Sequence, residues 1–273
     1  MENKNIILLQ HSPLSVHFTN TFYTNQADNL SDYIVVDVTS RVERNKAFMK
    51  EHPTFAKDLS PFYIGPVISS DGVEAKIFEI FWQCGKVYPC HDDHGKPNKD
   101  FFVWRNALYA KDVCSRSLMR HACKDLGYEH KDTKYFAYYD KDKKDYVPLD
   151  YIESRKKVYF VEYAKLVYNT PSFKYLKDLV DKGHKIALVD FDGYNYYYEQ
   201  ALERKYNSYL NKCKENKTTP TLTLADFKAI KSMKDVINCS FLLMGHGFVI
   251  KALLQGDIEV IDGEVVDKAG ILK

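Results

Sequence analysis

A chain of 273 residues can bury a substantial core and sits at the upper end of what one domain holds, so a single domain over 1–273 is expected. Its 45% apolar and 28% charged content is ordinary for a soluble protein, and a formal charge of +2 leaves no global electrostatic footprint for nucleic acid, so any such contact is local. No run approaches a membrane span, the Ile6–Leu9 apolar run is too short for a secretory signal, and the six cysteines form no C-x-x-C pair; together these read as a cytoplasmic protein with reduced thiols and no membrane partner.

Residues 1–30 read as a lead-in, with a strand candidate at Ile6–Leu9 and a polar run from Thr19 to Asn29. Tyr33-Ile-Val-Val-Asp-Val38 is a β-branched run that predicts a strand delivering Thr39-Ser40-Arg41 into a loop. Arg41 is either a phosphate or carboxylate contact or a solvated surface arginine. After Leu59-Ser-Pro-Phe-Tyr63, the Asp71-Gly72 pair predicts a turn between a strand candidate at 66–68 and a helix over 73–87. Within that helix, positions 79, 83 and 86 fall within about 60° of one another. Glu79, Gln83 and Lys86 therefore share one stripe, while Phe78, Phe81 and Trp82 fill much of the remaining surface. A polar stripe on an otherwise buried helix faces a cavity; the plainer reading is a solvated seam over ordinary aromatic core.

Pro89 is expected to end the helix. Cys90-His-Asp-Asp-His94 holds competent metal ligands, but they are crowded into one Gly/Pro loop without a distant partner, so His91 and His94 read as part of a polar loop rather than a metal site. A helix is predicted between Phe102 and Cys123, with Arg105, Arg116 and Arg120 as anion contacts or a solvated basic face. Tyr135–Tyr139 predicts a strand leading into a charged hairpin. Residues 151–167 have helical length behind an Asp150 cap, and Pro171 to Gly183 supplies another helix with a glycine stop. Lys185 to Asp192 is a buried-strand pattern ending in acids. The polar residues 196–236 read as an insertion, with a capping box starting at Thr223, and Ser240 to Leu254 as a glycine-containing turn feeding a closing helix. The 21 Tyr and 16 Phe, beside many Lys and Asn, suit base-stacking surfaces, although an A+T-rich genome encodes the same composition.

The order Leu59-Ser-Pro-Phe-Tyr63, Asp71-Gly72 and Glu79/Gln83/Lys86 resembles the NADAR family, most specifically across 59–87 and more weakly through Tyr151–Val167, Lys185–Asp192 and Met244-Gly-His-Gly. Pro61 stands where the family has Asn, Tyr151 where it has Trp, and no Trp-Gly follows Asp190 or Asp192, so the chain looks like a divergent, phage-borne relative. The resemblance implies an α+β, mainly helical fold with few short strands, and a hydrolase that cleaves an N-glycosidic bond of an ADP-ribosylated or ribosyl-nucleobase substrate, such as ADP-ribose on guanine. It implies no cofactor. Glu79 would then stabilise the oxocarbenium ion or orient water, and Lys86 would hydrogen-bond the sugar or attack it as an amine. Gln83 would position the sugar, Phe62, Tyr63, Trp82 and Tyr151 would surround the base, and Asp190 or Asp192 would bind ribose hydroxyls or activate water. A nucleotide-binding protein without chemistry, or a transferase placing a ribosyl group on nucleic acid, would use the same residues.

Overall fold

The computed structural model describes residues 5–10, 30–39 and 55–273. Helix accounts for about 43% and strand for about 19%, a mixed α+β composition. The chain divides into two compact units: a discontinuous one formed by Met1–Ala56 with Pro171–Lys273, and a continuous one, Lys57–Thr170.

The discontinuous unit is built on a three-stranded parallel sheet in which Lys185–Asp190 lies between Ile6–Gln10 and Tyr33–Asp37. The central strand is an unbroken aliphatic run because parallel strands are covered on both faces; Ile186, Ala187, Leu188 and Val189 are all fully buried. Ile7, Leu9, Ala187 and Val189 form one face, closed by Leu30, Tyr33 and Val35. Leu8, on the opposite face, meets Gly247 at the start of the His246–Gln255 helix. That helix is buried on every side from His246 to Leu254 and ends at Gly256, whose φ of 78° only glycine adopts at little cost. The polar residues 199–215, read as weakly patterned, form a long helix, and the capping box at Thr223 is present with Asp226. Leu224–Lys228 and Met233–Ile237 are separate short helices, the second capped anew by Ser232. A final hairpin pairs Ile258–Ile261 with Glu264–Asp267.

The continuous unit centres on the Phe78–Cys84 helix. This helix is shorter than the 73–87 segment expected. Glu74–Ala75 instead pairs with Val67–Ile68 across the Asp71-Gly72 turn, and Lys86–Val87 pairs with Tyr135–Asp140, which in turn pairs with Asp145–Leu149. Gly85, not Pro89, marks the change from helix to strand. Phe78 meets Tyr159 and Tyr163 edge-on, and Trp82 stacks on Phe136 at 5.3 Å and meets Tyr159 edge-on. From Tyr151 to Tyr168 the chain is continuously helical, with a π-helical stretch at Arg155–Phe160. Among the described residues, no helix is long and apolar enough to cross a membrane.

Arg105 is not a surface anion contact. It is 3% exposed on the Lys99–Tyr109 helix, donates to Asp71 Oδ2 at 2.6 Å, and lies against the rings of Phe101, Phe102 and Tyr109. The side chains of Arg116 and Arg120 lie outside the described residues. Ser69 and Tyr146 hydroxyls also donate to Asp71. Burial pushes the Asp71 carboxyl up, but these three donors and the guanidinium charge more than offset it and hold the pKa below the usual carboxylate value.

Two predictions follow the packing. A Cβ on Gly85 would lie 2.3 Å from Phe136 Cζ, a ring already held by Trp82 and Phe81, so Gly85→Ala is expected to destabilise by about 1–3 kcal/mol in urea unfolding. Because the folded-state pKa of Asp71 is depressed, its stabilising contribution is complete above the ordinary carboxylate range and disappears as pH falls through the folded value. Arg105→Met is therefore expected to cost about 3–5 kcal/mol at neutral pH, where a charge is left buried, and clearly less near pH ~3; equal losses at both would contradict the pairing.

Candidate functional site

The Phe78–Cys84 helix begins at Ile77, a residue that offers no capping side chain. Its first amides are satisfied instead by a neighbouring loop: Phe78 N–H donates to Ile64 O at 2.8 Å and Glu79 N–H to Pro61 O at 2.9 Å. That loop is itself pinned. Tyr63 and Ile64 N–H both donate to Ser60 O, Phe62 N–H donates to Ser60 Oγ, and Tyr163 Oη donates to Leu59 O at 2.7 Å. Phe62 is half-buried, whereas Tyr63 is 53% exposed, with the Lys57 ammonium 6.0 Å from its ring centre.

From Glu79 a polar relay runs along the helix and past its end. Gln83 Nε2 donates to Glu79 Oε1 at 2.9 Å, and Lys86 Nζ donates to Gln83 Oε1 at 2.6 Å. Lys86 completes the stripe although it is the first residue of a strand rather than part of the helix. Its ammonium stands 5.2 Å from the Trp82 ring centre. Burial lowers the Lys86 pKa to about 8, against the opposing pull of the Glu79 charge. Two flanking cysteines are held as thiols: burial, with the Glu79 charge adding to it, raises Cys114 to about 12, and burial raises Cys84 as well. The chemistry offered here is a carboxylate and a titratable amine linked by an amide, with no thiolate nucleophile.

The aromatic candidates divide. Trp82 is only 7% exposed and is packed between Phe136 and Tyr159, so its ring is a core element that meets the relay at Lys86. Tyr151 is 39% exposed, and its ring is covered at 4.3 Å by the guanidinium of Arg155. In the sequence nothing sets Arg155 apart from the rest of the 151–167 helix. The π-helical stretch turns it inward to 1% exposure, a local geometry often associated with functional sites.

Asp190 and Asp192 belong to the discontinuous unit. Asp190 Oδ2 accepts from Gly247 N–H at 2.9 Å and its Oδ1 from Phe191 N–H at 2.7 Å, so this carboxylate caps the His246–Gln255 helix. A Cβ on Gly245 would fall 2.3 Å from Asp190 Oδ2, which explains glycine on either side of His246. His246 Nε2 lies 2.6 Å from Val38 O, and its Nδ1 is 3.5 Å from Asp190. Asp192 is half-buried, its carboxyl pushed up by burial and by the Asp190 charge, while burial lowers Lys205 to about 8. Arg41 lies outside the described residues. His91 is buried against Phe101 and Trp104 while His94 is exposed, and Asp92 is engaged by Lys134, Tyr135 and Gly95. Among the described residues no group of three His, Cys, Asp or Glu side chains converges to hold a metal.

Comparison with known protein families, with characterised proteins and with solved structures gave no match. Among the described residues the Glu79–Gln83–Lys86 relay is the arrangement with the most chemical content.

The relay carries its own check. In a lysine-resolved NMR titration Lys86 is expected to lose its proton near pH ~8, well below ordinary lysines, and Glu79→Gln is expected to lower that midpoint further by removing the charge that favours the ammonium. A midpoint above about 10, or one unmoved by Glu79→Gln, would show that the amine is solvated and uncoupled.

Proposed function

We propose that the Lys57–Thr170 unit cleaves an N-glycosidic bond in an ADP-ribosylated or ribosyl-nucleobase substrate, with ADP-ribose on guanine as the leading example. The observation that carries this reading is the hydrogen-bonded chain from Glu79 through Gln83 to Lys86. It is supported by the order of Ser60-Pro-Phe-Tyr63, Asp71-Gly72 and Glu79/Gln83/Lys86, which resembles the NADAR motif.

Breaking the bond between C1′ and nitrogen sends the electron pair to the nucleobase and leaves positive charge on C1′ and the ring oxygen. Glu79 stabilises that charge and takes a proton from the water that adds to C1′; the departing nitrogen takes up a proton. Lys86, as an ammonium below its pKa of about 8, donates hydrogen bonds to sugar hydroxyls while Gln83 keeps it in register with Glu79. Tyr63 and Tyr151 supply exposed aromatic surface for the base. The reading uses groups of one unit only; Asp190 and Asp192, expected to assist, stand in the other, and Asp190 already serves as a helix cap.

Incubation with guanine-ADP-ribosylated DNA, ADP-ribose conjugates and NAD, followed by mass spectrometry, is expected to release ADP-ribose from at least one of them, with unmodified guanine restored in the DNA or nicotinamide freed from NAD. Glu79→Gln is expected to lower turnover by about 10²-fold or more, and the wild-type rate to fall as pH rises through about 8 with loss of the Lys86 ammonium. No turnover on any substrate, or undiminished turnover in Glu79→Gln, rejects the hydrolase. Tight binding with the ligand recovered intact points to a sequestering protein instead, and label transferred onto DNA or RNA to a transferase.

A further inference from the structure

The exposed ring of Tyr151 is backed by a buried cation. Arg155, 1% exposed, holds its guanidinium 4.3 Å from the centre of that ring, while Tyr151 itself is 39% exposed. The two residues stand four apart on one continuous helix and so lie on the same face of it. The charge therefore sits on the inner side of the ring. The outer side is open: among the described residues no other ring packs on Tyr151, and its hydroxyl makes no hydrogen bond.

Strand register brings this ring to the neighbourhood of the relay. Lys86 pairs with Phe136, and Phe136 with Leu149, two residues before Tyr151. Directly paired residues point to one face of a sheet, so Lys86, Phe136 and Leu149 form a single row. Two strand spacings separate its ends, about 10 Å from Lys86 to Leu149. The Asp150 side chain then accepts from Glu153 N–H and fixes the turn from that row into Tyr151. A nucleoside is of the length to bridge from the ring to the relay amine.

An aromatic ring attracts a cation through the negative potential of its face. With a guanidinium held against the inner face, that potential is drawn inward and the outer face is left electron-poor. Burial of the guanidinium strengthens the effect, because little water stands between charge and ring. An electron-poor face stacks best on an electron-rich one. Guanine is the most electron-rich of the nucleobases, adenine follows, and the pyrimidines come last.

We propose that Tyr151, backed by Arg155, is a purine-selective stacking platform that prefers guanine to adenine, with Arg155 as a positioning residue that sets the preference without touching the ligand. This rests on the reading of the Lys57–Thr170 unit as a site for nucleobase glycosides and adds which base it selects.

The test is NMR titration of the full chain, carrying isotope-labelled tyrosine rings, with intact guanosine, adenosine, inosine, cytidine and ribose. The Tyr151 signals are identified by their loss in Tyr151→Leu. Guanosine is expected to move them upfield, the ring-current mark of a base stacked face to face, and to bind severalfold tighter than cytidine, with adenosine between and ribose without effect. Tyr151→Leu is expected to weaken guanosine by about tenfold, the loss of one base–aromatic stack, with unchanged circular dichroism. Arg155→Met is expected to keep the upfield shift and to bring guanosine and cytidine to similar affinity. If that variant fails to fold, inosine decides in the wild type: lacking the electron-donating amino group of guanosine, it is expected to bind more weakly. The proposal is overturned if no nucleoside up to about 10 mM moves the Tyr151 signals, if guanosine binds no tighter than cytidine or inosine, or if the preference survives intact in a folded Arg155→Met. Guanosine stacked on Tyr151 in a protein that cleaves no glycoside upholds the platform and removes the hydrolase. Cleavage without any movement of the Tyr151 signals does the reverse.

Discussion

The continuous unit depends on a helix that cannot cap itself. Ile77 has nothing to offer the free amides of Phe78 and Glu79, and an uncapped, buried helix start is unfavourable unless some other acceptor reaches it. The carbonyls of Pro61 and Ile64 do so, and the loop that provides them is fixed in turn by Ser60 and by the Tyr163 hydroxyl on Leu59. Two parts separated in sequence, the 59–64 loop and the Phe78–Cys84 helix, are thus tied together by backbone hydrogen bonds. Because a backbone carbonyl does the capping, Pro61 can serve although it has no N–H of its own.

The same packing sets the chemistry of the relay. Phe78, Phe81 and Trp82 hold the helix against Tyr159, Tyr163, Tyr109 and Phe136, leaving Glu79 and Gln83 on the side not consumed by rings. Lys86 arrives from the strand that follows, over the edge of Trp82, and the apolar surroundings that stabilise the core are what penalise its charge. Trp82 therefore influences the amine without belonging to a binding surface. The discontinuous unit handles charge differently: Asp190 sits at the end of a buried strand and is satisfied by the backbone of a helix start, so its burial reports architecture before chemistry.

Much of the fold was legible because it rests on local patterns. The aliphatic run at 185–190, the Thr223 capping box and the charged hairpin after Tyr139 are each specified by neighbouring residues. The terminal hairpin has a local signal too, in Asp262-Gly263, whose φ values of 52° and 79° suit a tight two-residue turn. Less legible were features decided at a distance. The helix over 73–87 was cut to Phe78–Cys84 because strands elsewhere claimed both ends, and Arg105 was drawn inward by an aspartate 34 residues away. The relay itself emerged intact for a geometric reason: Lys86 has a long side chain, and a strand leaving the helix end still lets it reach Gln83.

The order of strands in the parallel sheet bears on how the chain is made. The middle strand, Lys185–Asp190, is encoded after both of its neighbours and after the whole of the continuous unit. On a ribosome, Ile6–Gln10 and Tyr33–Asp37 emerge first and cannot pair through a strand not yet synthesised, while Lys57–Thr170 has all of its own partners in hand. The sheet is thus a late event with long loops to close. Two apolar edge segments wait unpaired until residue 190 emerges, which makes that interval the period in which a nascent chain is most exposed to wrong strand pairing.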